Sequence, residues 1–574
     1  MIESFPPGTL LILGALLVPF MRGRLLAAYM LSLPVLGLAQ VWALDPGTTA
    51  TLQLFGYELN FLRVDKLSKV FGYIFHIAAF LSVIYALHLK DRVQHGAGLI
   101  YAGAAIAAVF AGDLISLFVF WELTAISSVF LIWASKTESA YRSGMRYLII
   151  QVGSGVLLLA GTILHYENTG SLDFVGLAGN DLPSLADAGL GVQLIFLAFG
   201  IKAAFPLLHS WLQNAYPEAT VTGTVFLSAF TTKLAIYALA RGFAGTEILI
   251  PIGAAMTAFP IFYAVIENDL RKVLAYSLNN QLGFMVVGIG IGTEMAINGT
   301  ASHAFAHILY KGLLFMSMGA VLFRTGTCKG SELGGLYKSM PWTAFFCCIG
   351  AASISAFPLF SGFVTKSLVV GEAAHGDYTV TFLILLFASA GVFHHSGIKI
   401  PYFAFFGHDS GRRVKEAPFN MLLAMGGAAF LCVAVGVFYQ PLYDILPFPV
   451  DPDYEPYSTT HWVTQLQLLL FSAAAFVFLQ KTRLYPPELR STNIDVEWTY
   501  RKGLPAVVRQ LGRAIAGVDD AVRAKVCKLV GGAAHKARAH HAPSTGILGE
   551  PWTVGRTALW AAILLIVCLL MAFA

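Results

Sequence analysis

Apolar runs long enough to cross a lipid bilayer recur along this chain from Thr9 almost to its last residue, and that repetition constrains the fold more than any other feature. A helix crossing the ~30 Å hydrocarbon core needs about 20 predominantly apolar residues. Spans are expected at 9–21, 25–43, 66–88, 96–111, 113–134, 143–164, 190–212, 220–240, 248–266, 272–292, 299–323, 341–370, 378–406, 419–440, 461–480 and 556–573. Composition agrees, since 57% of the 574 residues are apolar and only 12% charged. A soluble domain carries roughly a quarter charged residues, so a soluble globular reading is excluded. Length alone would read as about four domains of ~150 residues; the spacing of the runs makes it one polytopic all-α membrane unit of about sixteen helices instead. The first run follows Met1–Pro7 with neither a basic segment nor a small-residue cleavage site, and reads as a first span rather than a removable signal peptide.

The positive-inside rule orients these spans. Most of the 37 Lys and Arg fall in loops after odd-numbered spans, whereas loops after even-numbered spans, counted with the first turn of the span that follows, hold Arg63, Lys66, Lys69 and Arg241. Both termini are therefore expected outside, together with the acidic stretches 173–187 and 444–455. The expected organisation is 1–95 for helices 1–3, 96–242 for helices 4–8, 248–406 for helices 9–13, 419–480 for helices 14–15, 481–555 for a cytoplasmic basic segment, and 556–574 for the final span. In the basic segment, Leu504, Val507, Val508, Leu511, Ile515, Val518, Val522, Val526 and Leu529 follow helical spacing. They predict an amphipathic helix over 503–532, about 45 Å long at 1.5 Å per residue, suited to a partner subunit or to anionic headgroups of the bilayer.

An ionisable side chain near the bilayer centre costs at least ~2.5–3.5 kcal/mol on insertion scales and is a functional candidate by default. One acid, Glu122, sits mid-span in FVFWELTAISSVF; Lys202, Lys233, Lys311, Lys366 and Lys399 and His303, His307, His394 and His395 lie in later spans. Such a chain is what proton transfer requires, because each group must take up and release a proton within reach of the next. His303, His307 and Lys311 stand at i, i+4 and i+8 and so share one helix face. Isolated structural ion pairs or snorkelling side chains are the plainer reading, strongest for Lys311, His394 and His395.

Two spans carry breakers. Gly200 and Pro206 flank Lys202, and Pro358 and Gly362 precede Lys366. Proline removes a backbone donor and kinks a helix, and paired broken helices at matching places in two halves are a mark of inverted-repeat transporters. Helices 4–8 are accordingly expected to recur as helices 9–13, with helices 7 and 12 broken; the tenth helix has no acid matching Glu122. The cysteines at 328, 347, 348, 432, 527 and 568 have no CxxC spacing, and no P-loop or dinucleotide fingerprint is evident, so no metal and no cofactor is expected. His535, His540 and His541 sit in a basic, solvated stretch.

The segments AGDLISLFVFWELT, IKAAFPLLHSWL, TTKLAIYAL, ENDLRKVLAYSLNNQLGFM, ASHAFAHILYKGLLF and FPLFSGFVTKSL, within residues 100–370, together resemble the antiporter-like proton-pumping subunits shared by Mrp-type sodium/proton antiporters, respiratory complex I and membrane-bound hydrogenases. The resemblance implies a conserved helical core with two inverted repeats and a relay of Glu122, Lys202, Lys233, His307 and Lys366. His303, Lys311, Lys399, His394, His395 and Asp113 are possible relay or supporting groups. It also implies a multi-subunit antiporter, a redox complex of the complex I or hydrogenase kind, or a carbon-uptake complex, in a bacterial inner membrane, with protons as cargo, Na+ or K+ as candidate counter-ions, and no nucleic acid. The 481–555 segment looks like a shortened lateral helix of the distal pumping subunit of complex I, which a simple Mrp D-type subunit would lack. Glu122 and Lys202 are expected to form a switchable pair, because pairing favours both charged forms and separation favours release of the lysine proton. A non-transporting scaffold and a polytopic membrane transferase are the rival readings; the short loops oppose the second.

Overall fold

The computed structural model describes residues 5–54, 56–177, 185–489, 493–542, 545–546, 549 and 552–573. The chain divides into two units, Met1–Asn493 and Ile494–Ala574. In the first, a helix or a pair of half-helices lies over each of the first fifteen expected spans; in the second, the helix Val554–Phe573 lies over the last. Twelve helices of the described residues are long and apolar enough to cross a membrane, and Thr9–Phe20 and Pro341–Ile354 are shorter apolar helices. The chain is thus an all-α integral membrane protein. Part of the acidic stretch expected at 173–187 lies outside the described residues.

Local sequence explains most helix starts. Asp65, Asp91, Asp113, Thr137, Asp269 and Thr293 each stand at an N-cap and accept a backbone N–H of the first turn, replacing an intrahelical bond that the first turn cannot make. The same succession appears twice. Asp113 caps Leu114–Trp133 and Asp269 caps Leu270–Ile291, and both aspartates lie in isolated bridges, to Asp173 and Lys329. Two helices of 32 residues follow, Glu138–Thr169 and Glu294–Thr325, each with a Thr N-cap and a left-handed Gly C-cap. Half-helices of 14 residues come next, Gly189–Lys202 and Pro341–Ile354.

Each half-helix ends at the same tetrapeptide, Ala-Phe-Pro-Leu. Ala204 and Leu207 have φ of 62° and 70°, and Ala356 and Leu359 have 55° and 72°. Left-handed backbone at non-glycine residues costs on the order of 1–3 kcal/mol each and clusters at functional sites. The glycines expected to break these helices lie inside them instead: Gly200 within Gly189–Lys202 and Gly362 within Ser361–His375. Their role is close approach, since a Cβ on Gly362 would come 1.9 Å from the Ser353 carbonyl oxygen and one on Gly200 2.5 Å from the Phe205 ring. Pro206 and Pro358 do sit in the breaks.

Two elements differ from expectation. An antiparallel hairpin, β1 (Thr49–Leu54) and β2 (Tyr57–Arg63), joins the second and third helices. It is tied down by Arg63, which donates to the Phe174 carbonyl at 2.7 Å, and by Asp65 just beyond it, which pairs with Arg241 at 2.7 Å. In the second unit the amphipathic helix runs Leu504–His541 over 38 residues, longer than expected because Ala533, Ala534, Lys536, Ala537 and Arg538 are good helix formers. Its apolar stripe is exposed, with Val508 at 57% and Ile515 at 69%.

Candidate functional site

The first unit carries a row of buried cations with few buried acids. Lys202, Lys233, Lys311 and Lys399 and His303, His307 and His395 are fully buried, and Lys366 is 4% exposed. Helix Glu294–Thr325 brings His303, His307 and Lys311 onto one buried face, as their spacing required.

Lys202, Lys233, Lys366 and Lys399 share one device: each places its ammonium on backbone carbonyl oxygens, most of them freed where a helix ends or breaks. Lys202, the last residue of its half-helix, donates to the Trp121 carbonyl at 2.6 Å and the Thr124 hydroxyl at 2.8 Å. Its Nζ also lies 4.1 Å from the Trp121 ring centroid, a cation–π contact strengthened by exclusion of water. Lys233 reaches back across the interruption at Phe230 to the Ser228 carbonyl at 2.5 Å. Lys366 donates to the Ile354 carbonyl at 3.3 Å and lies 4.9 Å from the Phe284 ring centroid. Lys399 donates to the carbonyls of Ala264, Val265 and Glu267 at 3.2, 2.7 and 2.7 Å, at the C-terminal and therefore electronegative end of helix Leu249–Ile266.

Lys202 and Lys366 do not occupy matching positions. Lys202 precedes its break, and Lys366 follows its break on helix Ser361–His375. The side chain of Lys366 folds back, so that its ammonium meets the end of the preceding half-helix at Ile354, the residue that ends that half-helix as Lys202 ends its own.

Glu122 lies on helix Leu114–Trp133 and is partly buried. Its Oε1 has no hydrogen-bond partner, and among the described residues no ion pair joins it to Lys202, although the two interact electrostatically. The carboxylate lies against Gly155, where a Cβ would stand 1.4 Å from Oε1. A glycine therefore makes the room in which this acid is held, a contact that spacing along the sequence does not reveal. Asp113, expected as a supporting acid, is a helix cap: it accepts the Ser116 N–H at 2.7 Å and the Ser116 hydroxyl at 2.6 Å.

The buried histidines differ in what their ring nitrogens meet. Neither ring nitrogen of His307 has a hydrogen-bond partner among the described residues, and neither has the Lys311 ammonium. His307 is within electrostatic reach of Lys233, Lys311, His303 and Lys366. His303 Nε2 faces the Tyr310 hydroxyl at 3.3 Å and Nδ1 faces Thr365 Oγ1 at 3.4 Å. Tyr310 also faces Gln281 Oε1 at 3.1 Å. Thr365 Oγ1 donates to the Ser361 carbonyl at 2.9 Å and so accepts from Nδ1–H, which leaves Nε2 to accept the Tyr310 proton or to donate to the Tyr310 oxygen. Beyond them, His395 meets Ser396 at 2.9 Å, whose hydroxyl donates to Ser277 at 2.7 Å. His395 is in electrostatic reach of Lys311, Lys366 and Lys399.

Lys366 opens onto a cavity of about 340 Å³ lined also by Ser367, His375, Tyr454, Glu455 and His461. His461 is stacked on Phe363, ring centroids 4.0 Å apart, with Nδ1 2.6 Å from the Pro456 carbonyl. Lys399 meets a group that the apolar runs could not reveal: Glu488, from the connection after helix Thr459–Lys481, pairs with it at 2.9 Å.

These features define a polytopic membrane protein whose buried, hydrogen-bonded cations pass from one broken helix to the next. Residues 111–398 match the family described as NADH:quinone oxidoreductase/Mrp antiporter, transmembrane, and the chain belongs to that family. The D-type subunit of the Na(+)/H(+) antiporter of Alkalihalophilus pseudofirmus is 31% identical over 353 residues, covering 58% of this chain and 71% of that protein. Two solved assemblies share the fold. A component in the structure of the Mrp complex from Dietzia sp. DQ12-45-1b matches with a TM-score of 0.69 at 20% identity, over 83% of this chain and 98% of its own. A chain of the membrane-bound sulfane sulfur reductase, an archaeal respiratory membrane complex, matches with a TM-score of 0.72 at 22% identity, over 99% of this chain and all of its own.

Proposed function

We propose that this chain is a proton-translocating, antiporter-like subunit of a multi-subunit membrane complex, with helices 4–8 and 9–13 as its two inverted repeats. The observation that carries the reading is the buried row Lys202, Lys233, His307 and Lys366, anchored at helix breaks and ending at the Lys366 cavity. Glu122 sets the charge of Lys202. When the carboxylate is ionised it favours the ammonium; when it moves away or is neutralised, burial favours loss of the lysine proton. That proton passes to Lys233, then to His307, whose imidazole chemistry suits transfer in both directions, then to Lys366 and out through the cavity. All sixteen helical stretches cross the membrane in this reading, with both termini outside, and the membrane is a bacterial inner membrane. The relative from A. pseudofirmus supports exchange of protons against Na+.

A second reading has an observation of its own. The sulfane sulfur reductase chain matches over 99% of this chain, a share that takes in the helix Leu504–His541 and the final helix, so the driving partner in this reading is a redox module rather than a cation pathway. The test common to both is proton flux in vesicles bearing the native complex. Glu122→Gln is expected to abolish flux with subunit composition unchanged; wild-type flux would refute the relay. Subunit identification in the purified native complex separates the two readings, because flavin or iron–sulfur partners belong only to the second.

A further inference from the structure

The helix Leu114–Trp133 carries Glu122, but the helix that repeats its cap and bridge, Leu270–Ile291, has Leu278 at the same step beyond its capping aspartate. The second half of the core therefore lacks the acid that the first half supplies from within a span. The structure brings a carboxylate to that half from elsewhere. Glu488 follows Pro486 and Pro487 in the connection after helix Thr459–Lys481, and its side chain is 6% exposed while that of its partner Lys399 is fully buried, the two 2.9 Å apart.

Its surroundings are those of a transfer site. Lys399 sits where the helix is interrupted by π-turns at Phe393–Ile398 and Tyr402–Phe406, and π-turns recur at functional positions. His394 Nε2, His395 Nε2 and the Tyr485 hydroxyl are buried without hydrogen-bond partners, and the rings of His394 and Tyr485 are 5.5 Å apart. A second acid, Glu267, stands behind this group, paired with Lys272 at 3.1 Å and accepting from the Asn493 amide at 3.2 Å. The charged and titratable groups around Glu488 are thus Lys399, Glu267, Lys272, Tyr485 and His394. Burial holds its carboxyl above the usual carboxylate range; Lys399 opposes this and Glu267 adds to it.

The position also points to a route. Helix Thr459–Lys481 has 23 residues, about 35 Å at 1.5 Å per residue, enough to cross the bilayer. The Lys366 cavity is lined by residues at its N-terminal end, from Ser458 to Gln465, whereas Glu488 lies beyond its C-terminal end. Between them stand Lys399, His395 with Ser396 and Ser277, and Lys366. We propose that Glu488 is the proton-transfer carboxylate of the second half of the core, taking up protons at the membrane face next to Lys481 and passing them to Lys399. In the transfer, a Glu488 carboxyl gives its proton to an unprotonated Lys399 amine, leaving a carboxylate and an ammonium, and His395 relieves the ammonium in turn.

This rests on the proton-translocation reading, and the test separates the two. Proton flux is measured in vesicles bearing the native complex, with subunit composition checked for every variant. Glu488→Gln should lower flux on the order of a hundredfold, Glu488→Asp should restore a large part of it, and Glu488→Gln combined with Lys399→Gln should be no worse than either alone. Wild-type flux in Glu488→Gln, beside a silent Glu122→Gln, would overturn the role of Glu488 and leave the proposed function standing; wild-type flux in both would remove the proposed function itself. If Glu488→Gln fails to assemble, Glu488→Leu with Lys399→Met removes both charges together and leaves no unpaired buried ion. Lost flux in that assembled complex supports the assignment, and retained flux overturns it.

Discussion

Lys202 and Lys399 are both fully buried and both anchored on backbone carbonyls, yet they meet their carboxylates differently. Glu122 comes from the middle of a spanning helix and makes no ion pair with Lys202 among the described residues. Glu488 comes from a connection outside the repeats and is in direct ionic contact with Lys399. Charges in low dielectric interact most strongly at the shortest separation, and only Lys399 has its carboxylate within ion-pair distance. In the proposed relay, the first half releases a proton when its acid moves, and the second half is controlled by the connection carrying Glu488.

The comparison breaks most sharply at Gly155. Its absent side chain is what lets the Glu122 carboxylate lie where it does, 1.4 Å from an added Cβ. Gly155→Ala should displace that carboxylate and reduce proton flux about tenfold or more, a barrier change of roughly 1.4 kcal/mol, with assembly intact. Flux measured in vesicles at wild-type levels would show that Glu122 is not positioned by this contact.

A smaller effect is expected from the second unit. Val508→Asp with Ile515→Asp places two charges on the exposed apolar stripe of Leu504–His541. Each buried aliphatic side chain contributes ~1.5 kcal/mol or more when it docks, so the pair should release this subunit or a neighbour from detergent-extracted complex, as read on native gels. Arg509→Gln with Arg513→Gln should leave the complex whole. The reverse outcome would mean that the helix reads anionic lipid through its basic face.

Smallest is the pH dependence of the hairpin anchor. Burial raises the Asp65 carboxyl, but Arg241, the Ser68 N–H and Arg63 outweigh it and hold the group below its usual range. A carboxylate with a depressed folded pKa contributes stability above its unfolded pKa, about 3.9, and loses it as pH falls through the folded value. Asp65→Asn should therefore lower thermal stability at neutral pH and flatten its decline in acid, by a modest amount because Asp65 is partly exposed. An unchanged acid profile would assign the anchoring to Arg63 and the Phe174 carbonyl.

What is legible in the sequence follows from how local each signal is. A lone Lys202 or Glu122 in an apolar run is conspicuous because burial there is dictated by the run itself, and Pro206 and Pro358 mark breaks because proline acts on its own turn. Gly200 and Gly362 are misleading as helix breakers, since a glycine inside a helix and one that ends it look alike until the neighbouring backbone is seen. Glu488 is hidden for a different reason. It lies in a polar connection where an acid is unremarkable, and its partner Lys399 is distant in sequence. The hairpin escapes notice because its strands are short and mostly exposed, with no clean alternation between buried and exposed positions.

The central claim is that protons cross on the row that runs from Lys202 to the Lys366 cavity, and the formation of a pH gradient by vesicles bearing the native complex tests it most directly. Lys202→Met and Lys366→Met remove the first and last ammonium while keeping side-chain length and apolar bulk. Each variant, with subunit composition unchanged, is predicted to form no gradient under the conditions in which the wild-type complex does. A wild-type gradient from either assembled variant would show that protons do not travel by this row.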